Sequence, residues 1–282
     1  MKIGVNTFGL GPWLYWDAAT TWKRLWEGGV RAVEPCVTFR KQEPQDEAFK
    51  AAREKGIFGG SFPKAEAANV IAALRDRGFD VFGFQMQDVP FTMEGMSEAL
   101  VFMARHDLHY GIYSFMDGSV EKIRTLAPVI RKAAALYRQN GRELLIHNHD
   151  MEWDTSSGTS VMAWLLENVP ELRFEIDLGW TEYAGVSSVD LLENYPDRFP
   201  LLHIKEIAKG AKAWTDAPFC TAPGQGILPL QALVKAARKM PLDERAWIID
   251  QDNSISGDIV ADIAQGVHAL LCQWRVQGDT GV

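Results

Sequence analysis

Cysteine is scarce in this chain of 282 residues: there are three, Cys36, Cys220 and Cys272. They are far apart, odd in number and form no Cys-x-x-Cys pair, which argues against a disulfide framework and against a thiolate zinc site. A reducing, cytoplasmic setting is expected. Positive charge is also short, with 29 Lys and Arg against 37 Asp and Glu and a net charge of −8. Such a surface is not drawn to nucleic acid or to anionic lipid, so neither is expected as a partner. No apolar run reaches the ~20 residues that cross a bilayer. No signal-peptide core precedes the strand pattern at Ile3 to Asn6. The dinucleotide fingerprint is missing too, because Gly9-Leu10-Gly11-Pro12 breaks off before a third glycine. There is no internal repeat and no linker, so residues 1–282 read as one domain.

What is present is 47% hydrophobic residues in short runs. Strand patterns fall at Ile3 to Asn6, Val30 to Glu34, Phe79 to Gln85, Leu108 to Phe115, Leu144 to His147, Leu172 to Asp177, Leu201 to Ile207 and Ala246 to Asp250. Helical patterns alternate with them, at Thr21 to Glu27, Glu66 to Arg77, Met93 to Arg105, Ser119 to Gln139, Ser160 to Asn168, Val189 to Phe199, Pro229 to Lys239 and Asp258 to Trp274. Asp17 and Ser119 are candidate N-caps. Residues 39–60 read as a polar, partly helical insertion. Eight strands alternating with helices predict parallel pairing and an α/β fold, a single (β/α)8 TIM barrel. A doubly wound open sheet is the alternative.

The strands end in ligand-type side chains. Leu144-Leu145-Ile146 opens into His147-Asn148-His149-Asp150-Met151-Glu152, and alternation along a strand puts His147 and His149 on one side. Three later runs repeat the design, ending in Asp177, in His203 with Lys205, and in Asp250 with Asp252. A barrel carries its activity at the C-terminal ends of its strands. The residues expected at that mouth are Glu34, Gln85, His147, His149, Asp177, His203, Lys205, Asp250 and Asp252. A lone aspartate there is ordinarily a helix N-cap, and a lone histidine a hydrogen-bonded core residue. Four successive strands ending this way point instead to one divalent ion. A shell of imidazole and carboxylate without thiolate suits manganese, cobalt, magnesium or zinc. Lys205 pairs with a carboxylate or meets substrate. Trp180 packs, or offers a face to a sugar. Gly224-Gln225-Gly226 reads as a phosphate-cradling turn or as a plain loop.

The chain resembles the sugar phosphate isomerase/epimerase superfamily, the xylose isomerase-like TIM barrels. The resemblance rests on Ile146 to Trp153, Ile176 to Trp180, Leu202 to Glu206, Gly224 to Leu228 and Ile249 to Asp252. It implies a divalent ion held by four strand-end residues, commonly Glu, Asp, His and Glu. Asp177 and His203 stand in the second and third places, and Asp250 stands where Glu is usual. His147 stands in the first place, with Glu152 the alternative from the loop. The resemblance also implies a small sugar or polyol substrate, and self-association by analogy. Glu34, Gln85, Trp180, Lys205 and Asp252 are the expected substrate contacts.

Such a site would act on a sugar or polyol-derived ketone. The ion polarises a carbonyl, and His149 and Glu152 are the candidates to move the proton from the adjacent carbon. Its return gives an epimer or an isomer. Loss of a β-hydroxyl gives dehydration, and elimination from a 3-keto-glycoside is a related outcome. A non-catalytic sugar-binding barrel is a rival reading. An AP-endonuclease-like nuclease is another, disfavoured by the acidic surface.

Overall fold

The apolar runs form strands, each parallel to its neighbours, and the sheet they make curls round on itself. The structure, a computed structural model, describes residues 1–39, 60–212 and 219–279. Its strands are β1 (Ile3–Asn6), β2 (Ala32–Glu34), β3 (Cys36–Thr38), β4 (Ser61–Pro63), β5 (Gly83–Gln87), β6 (Tyr110–Ser114), β7 (Glu143–His147), β8 (Arg173–Asp177), β9 (Leu201–Ile204) and β10 (Trp247–Ile249). Its helices are α1 (Gly11–Glu27), α2 (Lys64–Asp76), α3 (Met93–His106), α4 (Val120–Gln139), α5 (Val161–Asn168), α6 (Leu178–Tyr183), α7 (Ser188–Asn194), α8 (Leu230–Ala237) and α9 (Ile259–Asp279).

The ring closes through Pro35. Proline has no N–H for a ladder, so it splits the second barrel strand in two. β2 pairs with β1, and β3 pairs with β5. Backbone bonds from Gln85 N to Pro35 O at 3.0 Å and from Val33 N to Asp80 O at 2.9 Å hold the two halves to the same neighbour. With β10 paired to β1, eight strand positions make a (β/α)8 barrel. β4 is an extra strand on the free side of β3, and Gly60 beside it donates to Thr7 O at 3.1 Å. The sequence reading has no strand there. The expected insertion falls mainly on residues 40–59, outside the described residues.

β5 to β10 are covered on both faces, and most of the side chains they bury are apolar. Leu145, Ile176, Leu202 and Ile249 are wholly buried, as are Phe84 and Phe174. Each such side chain contributes about 1.5–3 kcal/mol by leaving water. Caps set where helices start. Ser119 Oγ accepts from Lys122 N at 3.3 Å and Ser160 Oγ from Ala163 N at 3.1 Å. Asp17 caps as expected, accepting from Thr20 N at 3.0 Å. It does so inside α1, at a non-helical φ of −154°, because the helix already begins at Gly11. Among the described residues no helix is long and apolar enough to cross a membrane.

Candidate metal centre

Four successive strands deliver the site. β7 ends at His147, β8 ends at Asp177, β9 carries His203, and Asp250 follows β10. The register sets Asp177 directly beside His203. One ligand-type atom from each of His147, Asp177, His203 and Asp250 lies within 4.8 Å of the others, and all four residues are buried. Glu152 is not in this group.

Each side chain spends only part of its bonding capacity on protein. Asp177 Oδ1 caps α6 by accepting from Trp180 N at 2.8 Å, so the ordinary N-cap role is real. Its Oδ2 has no partner. His203 Nε2 meets Glu34 Oε1 at 3.1 Å, whereas its Nδ1 has no aligned hydrogen bond. Asp250 Oδ2 lies 3.0 Å from Lys205 Nζ and 3.3 Å from His203 Nδ1, and its Oδ1 is unpartnered. Each unmade hydrogen bond on a buried group costs about 1–3 kcal/mol. Three unpartnered atoms on two carboxylates and an imidazole of one close group of residues fit a divalent cation, and the nitrogen and oxygen donors suit the metals named from the sequence.

The electrostatics are those of a dense charge cluster. Burial raises the Asp177 carboxyl to about 7, against the pull of Lys205. Burial also acts to raise Asp250, but Lys205 and His203 outweigh it and hold that carboxyl far below its ordinary range. Burial opposes charge on His203, yet Glu175 and Glu34 raise it well above the usual imidazole value. Burial, with His203 adding repulsion, pushes His147 well below it. Lys205 is 1% exposed; burial acts against its charge, but Asp250 and Asp252 raise it well above its ordinary range.

The other expected residues divide into two groups. His149 borders the cluster: its ring is 5.0 Å from that of His147 and 5.9 Å from that of Trp180. It keeps 21% of its side chain exposed, and burial, with Lys205, lowers it to about 4. Lys205 Nζ binds Asp252 Oδ2 at 2.9 Å and sits 5.6 Å over the Trp180 ring. Trp180 also stacks on Phe219 at 5.4 Å and is 4% exposed. The second group is engaged by bonds within the protein. Glu152 accepts from Met116 N at 2.8 Å and His149 N at 2.9 Å, which ties the loop after β7 to the loop after β6. Glu34 is wholly buried, and it takes Asn6 Nδ2 at 2.7 Å as well as His203. Gln85 Oε1 lies 3.6 Å from Cys36 Sγ.

Two features go beyond the sequence reading. Glu175 is absent from it, though its oxygen is 3.3 Å from His147 Nδ1 and 3.1 Å from His203 Nε2. The signal was an acid two residues before Asp177, between the apolar Phe174 and Ile176. The Gly224-Gln225-Gly226 turn is already occupied by a carboxylate of the chain itself. Glu206 accepts from Gly224 N at 2.7 Å and Leu228 N at 2.8 Å. A Cβ on Gly226 would stand 2.1 Å from Ile207 O, so glycine is required there.

No family model matches the chain. An inosose dehydratase of Clostridium perfringens is 31% identical over 91 residues, which is 32% of this chain and 30% of that protein. A sugar phosphate isomerase/epimerase of Parabacteroides distasonis superposes with a TM-score of 0.70 at 18% identity, over 98% of this chain and 94% of that one. A xylose isomerase-like TIM barrel protein of Mycobacterium smegmatis, in complex with magnesium, gives 0.60 at 11% identity, over 92% and 89%. The structural neighbours are thus sugar phosphate isomerase/epimerase and xylose isomerase-like TIM barrel proteins, and the fold is theirs.

Proposed function

We propose that the chain is a metal-dependent enzyme that moves a proton next to the carbonyl of a sugar or polyol-derived ketone, as an isomerase or epimerase. The observation that carries this is the meeting of His147, Asp177, His203 and Asp250 within 4.8 Å at the strand ends. A manganese, cobalt, magnesium or zinc ion bound there supplies Lewis-acid polarisation of the carbonyl. His149 takes the proton. It borders the four residues, and burial leaves the ring neutral at neutral pH, with a free lone pair but as a weakened base. Glu152 positions His149 by holding its backbone N–H. Lys205, fixed between Asp250 and Asp252, keeps a positive charge where a substrate oxygen would gain negative charge. Trp180 forms the wall behind it.

A second reading is dehydration, in which a β-hydroxyl leaves after the proton. The 91-residue likeness to an inosose dehydratase favours it. Both readings share the first step. The test is to incubate the manganese-loaded protein with inosose and with simple ketoses in heavy water. Deuterium entering recovered substrate or its epimer supports the isomerase or epimerase. Loss of water with a new conjugated absorbance supports the dehydratase. Binding without exchange or turnover, or equal turnover after the metal is stripped, overturns the proposal.

A further inference from the structure

We propose that Glu175 is a positioning residue shared by both histidines of the metal centre, and that it makes them offer different nitrogens to the ion: Nε2 from His147 and Nδ1 from His203. The proposal rests on the metal-site reading above.

Glu175 lies on β8 two residues before Asp177, on the same side and one layer deeper. The register sets it directly beside His147. It is wholly buried, and neither of its oxygens has an aligned hydrogen-bond donor. A buried carboxyl in that condition is costly. Among the described residues, the imidazole or cationic nitrogens within ion-pair distance of it are His147 Nδ1 at 3.3 Å and His203 Nε2 at 3.1 Å. Small turns of the two rings would aim both N–H groups at Oε2. Without an ion His203 is held as an imidazolium with both nitrogens protonated. A bound cation would displace one proton, and the nitrogen that donates to Glu175 is the one that keeps its own, leaving the other to ligate.

Glu34 makes the same choice for His203. Its Oε1 accepts at Nε2, and Asn6 fixes that oxygen from β1. His203 Nδ1 is thereby turned to Asp250, inside the four-residue cluster. Glu34, Glu175 and His203 also form a close group of ligand-type residues by themselves. There Nε2 already has a hydrogen-bond partner in Glu34, which makes the deeper layer a support for the upper one. Outer partners of this kind fix ring orientation and metal affinity.

The test uses the full chain with nitrogen-labelled histidine, loaded with an NMR-active cadmium isotope. Scalar coupling of cadmium to Nε2 of His147 and to Nδ1 of His203 is expected. Glu175→Gln should weaken cadmium binding by about 10–100-fold and disturb both couplings, with the circular dichroism of the ion-free protein retained. Coupling through His147 Nδ1 or His203 Nε2 overturns the assignment and leaves the metal site standing. Unchanged affinity and couplings in Glu175→Gln overturn the positioning role. Absence of coupling to any histidine removes the metal site and the inference with it. Should the variant fail to fold, the couplings in the unsubstituted protein decide.

Discussion

Lys205 and Asp250 form a buried ion pair at the ends of β9 and β10, with Nζ 3.0 Å from Oδ2, and Asp250 also belongs to the four-residue candidate ion site while its other oxygen has no partner. The lysine therefore shares a ligand with any metal held there. Lys205→Met should lower the stability of the ion-free protein by about 3–5 kcal/mol, as removal of one partner of a buried pair does. A divalent ion would then compensate the uncovered carboxylates. The gap between Tm with and without manganese should widen relative to the unsubstituted chain. An equal fall in both conditions would show that lysine and ion do not share Asp250.

His149→Gln should lower kcat by about 10²–10⁴-fold, the usual contribution of a general base. Metal content should hold, because His149 lies outside the four-residue group. Turnover and metal analysis on the same sample check this. Metal loss in step with activity would make His149 a ligand instead of a base.

Gly179 is required by packing. A Cβ there would stand 1.9 Å from Lys205 O, and that carbonyl belongs to backbone that cannot swing aside. Gly179→Ala should cost about 1–3 kcal/mol by overpacking, read as a lowered urea midpoint. Activity should fall further than stability alone explains, since the push is delivered to Lys205.

At the opposite end of the barrel, Asp243 accepts from Arg245 Nε at 2.8 Å and from its backbone N at 2.8 Å. Burial works to raise this carboxyl, but the Arg245 bonds and charge outweigh it and hold it below its ordinary value. A carboxyl lowered by folding adds stability that is complete above its unfolded pKa of about 4. That stability is lost as the pH falls through the lower folded value. Asp243→Asn should therefore be less stable at neutral pH, and the difference should shrink in acid. Urea unfolding across that range measures it. A difference independent of pH would mean that shape, not charge, is what Asp243 supplies.

The barrel was legible because burial on both faces makes each strand an apolar run, and the strand ends stood out because polarity returns abruptly there. The convergence of His147, Asp177, His203 and Asp250 follows from those two patterns. β4 escaped notice because Ser61-Phe62-Pro63 is too short to show a period. α6 escaped because its six residues follow Asp177 without a break. Glu175 escaped for a different reason. It sits one layer below the strand end, and the two imidazoles that flank it come from the neighbouring strands.

Glu206 gives the turn after β9 a resident anion. A phosphate ester arriving at Gly224 and Leu228 would find their amides already engaged by a carboxylate and would meet its repulsion. The turn is therefore a poor place for a phosphate group. Glu206→Ala, by freeing the amides, should open a weak receptor for inorganic phosphate at this turn.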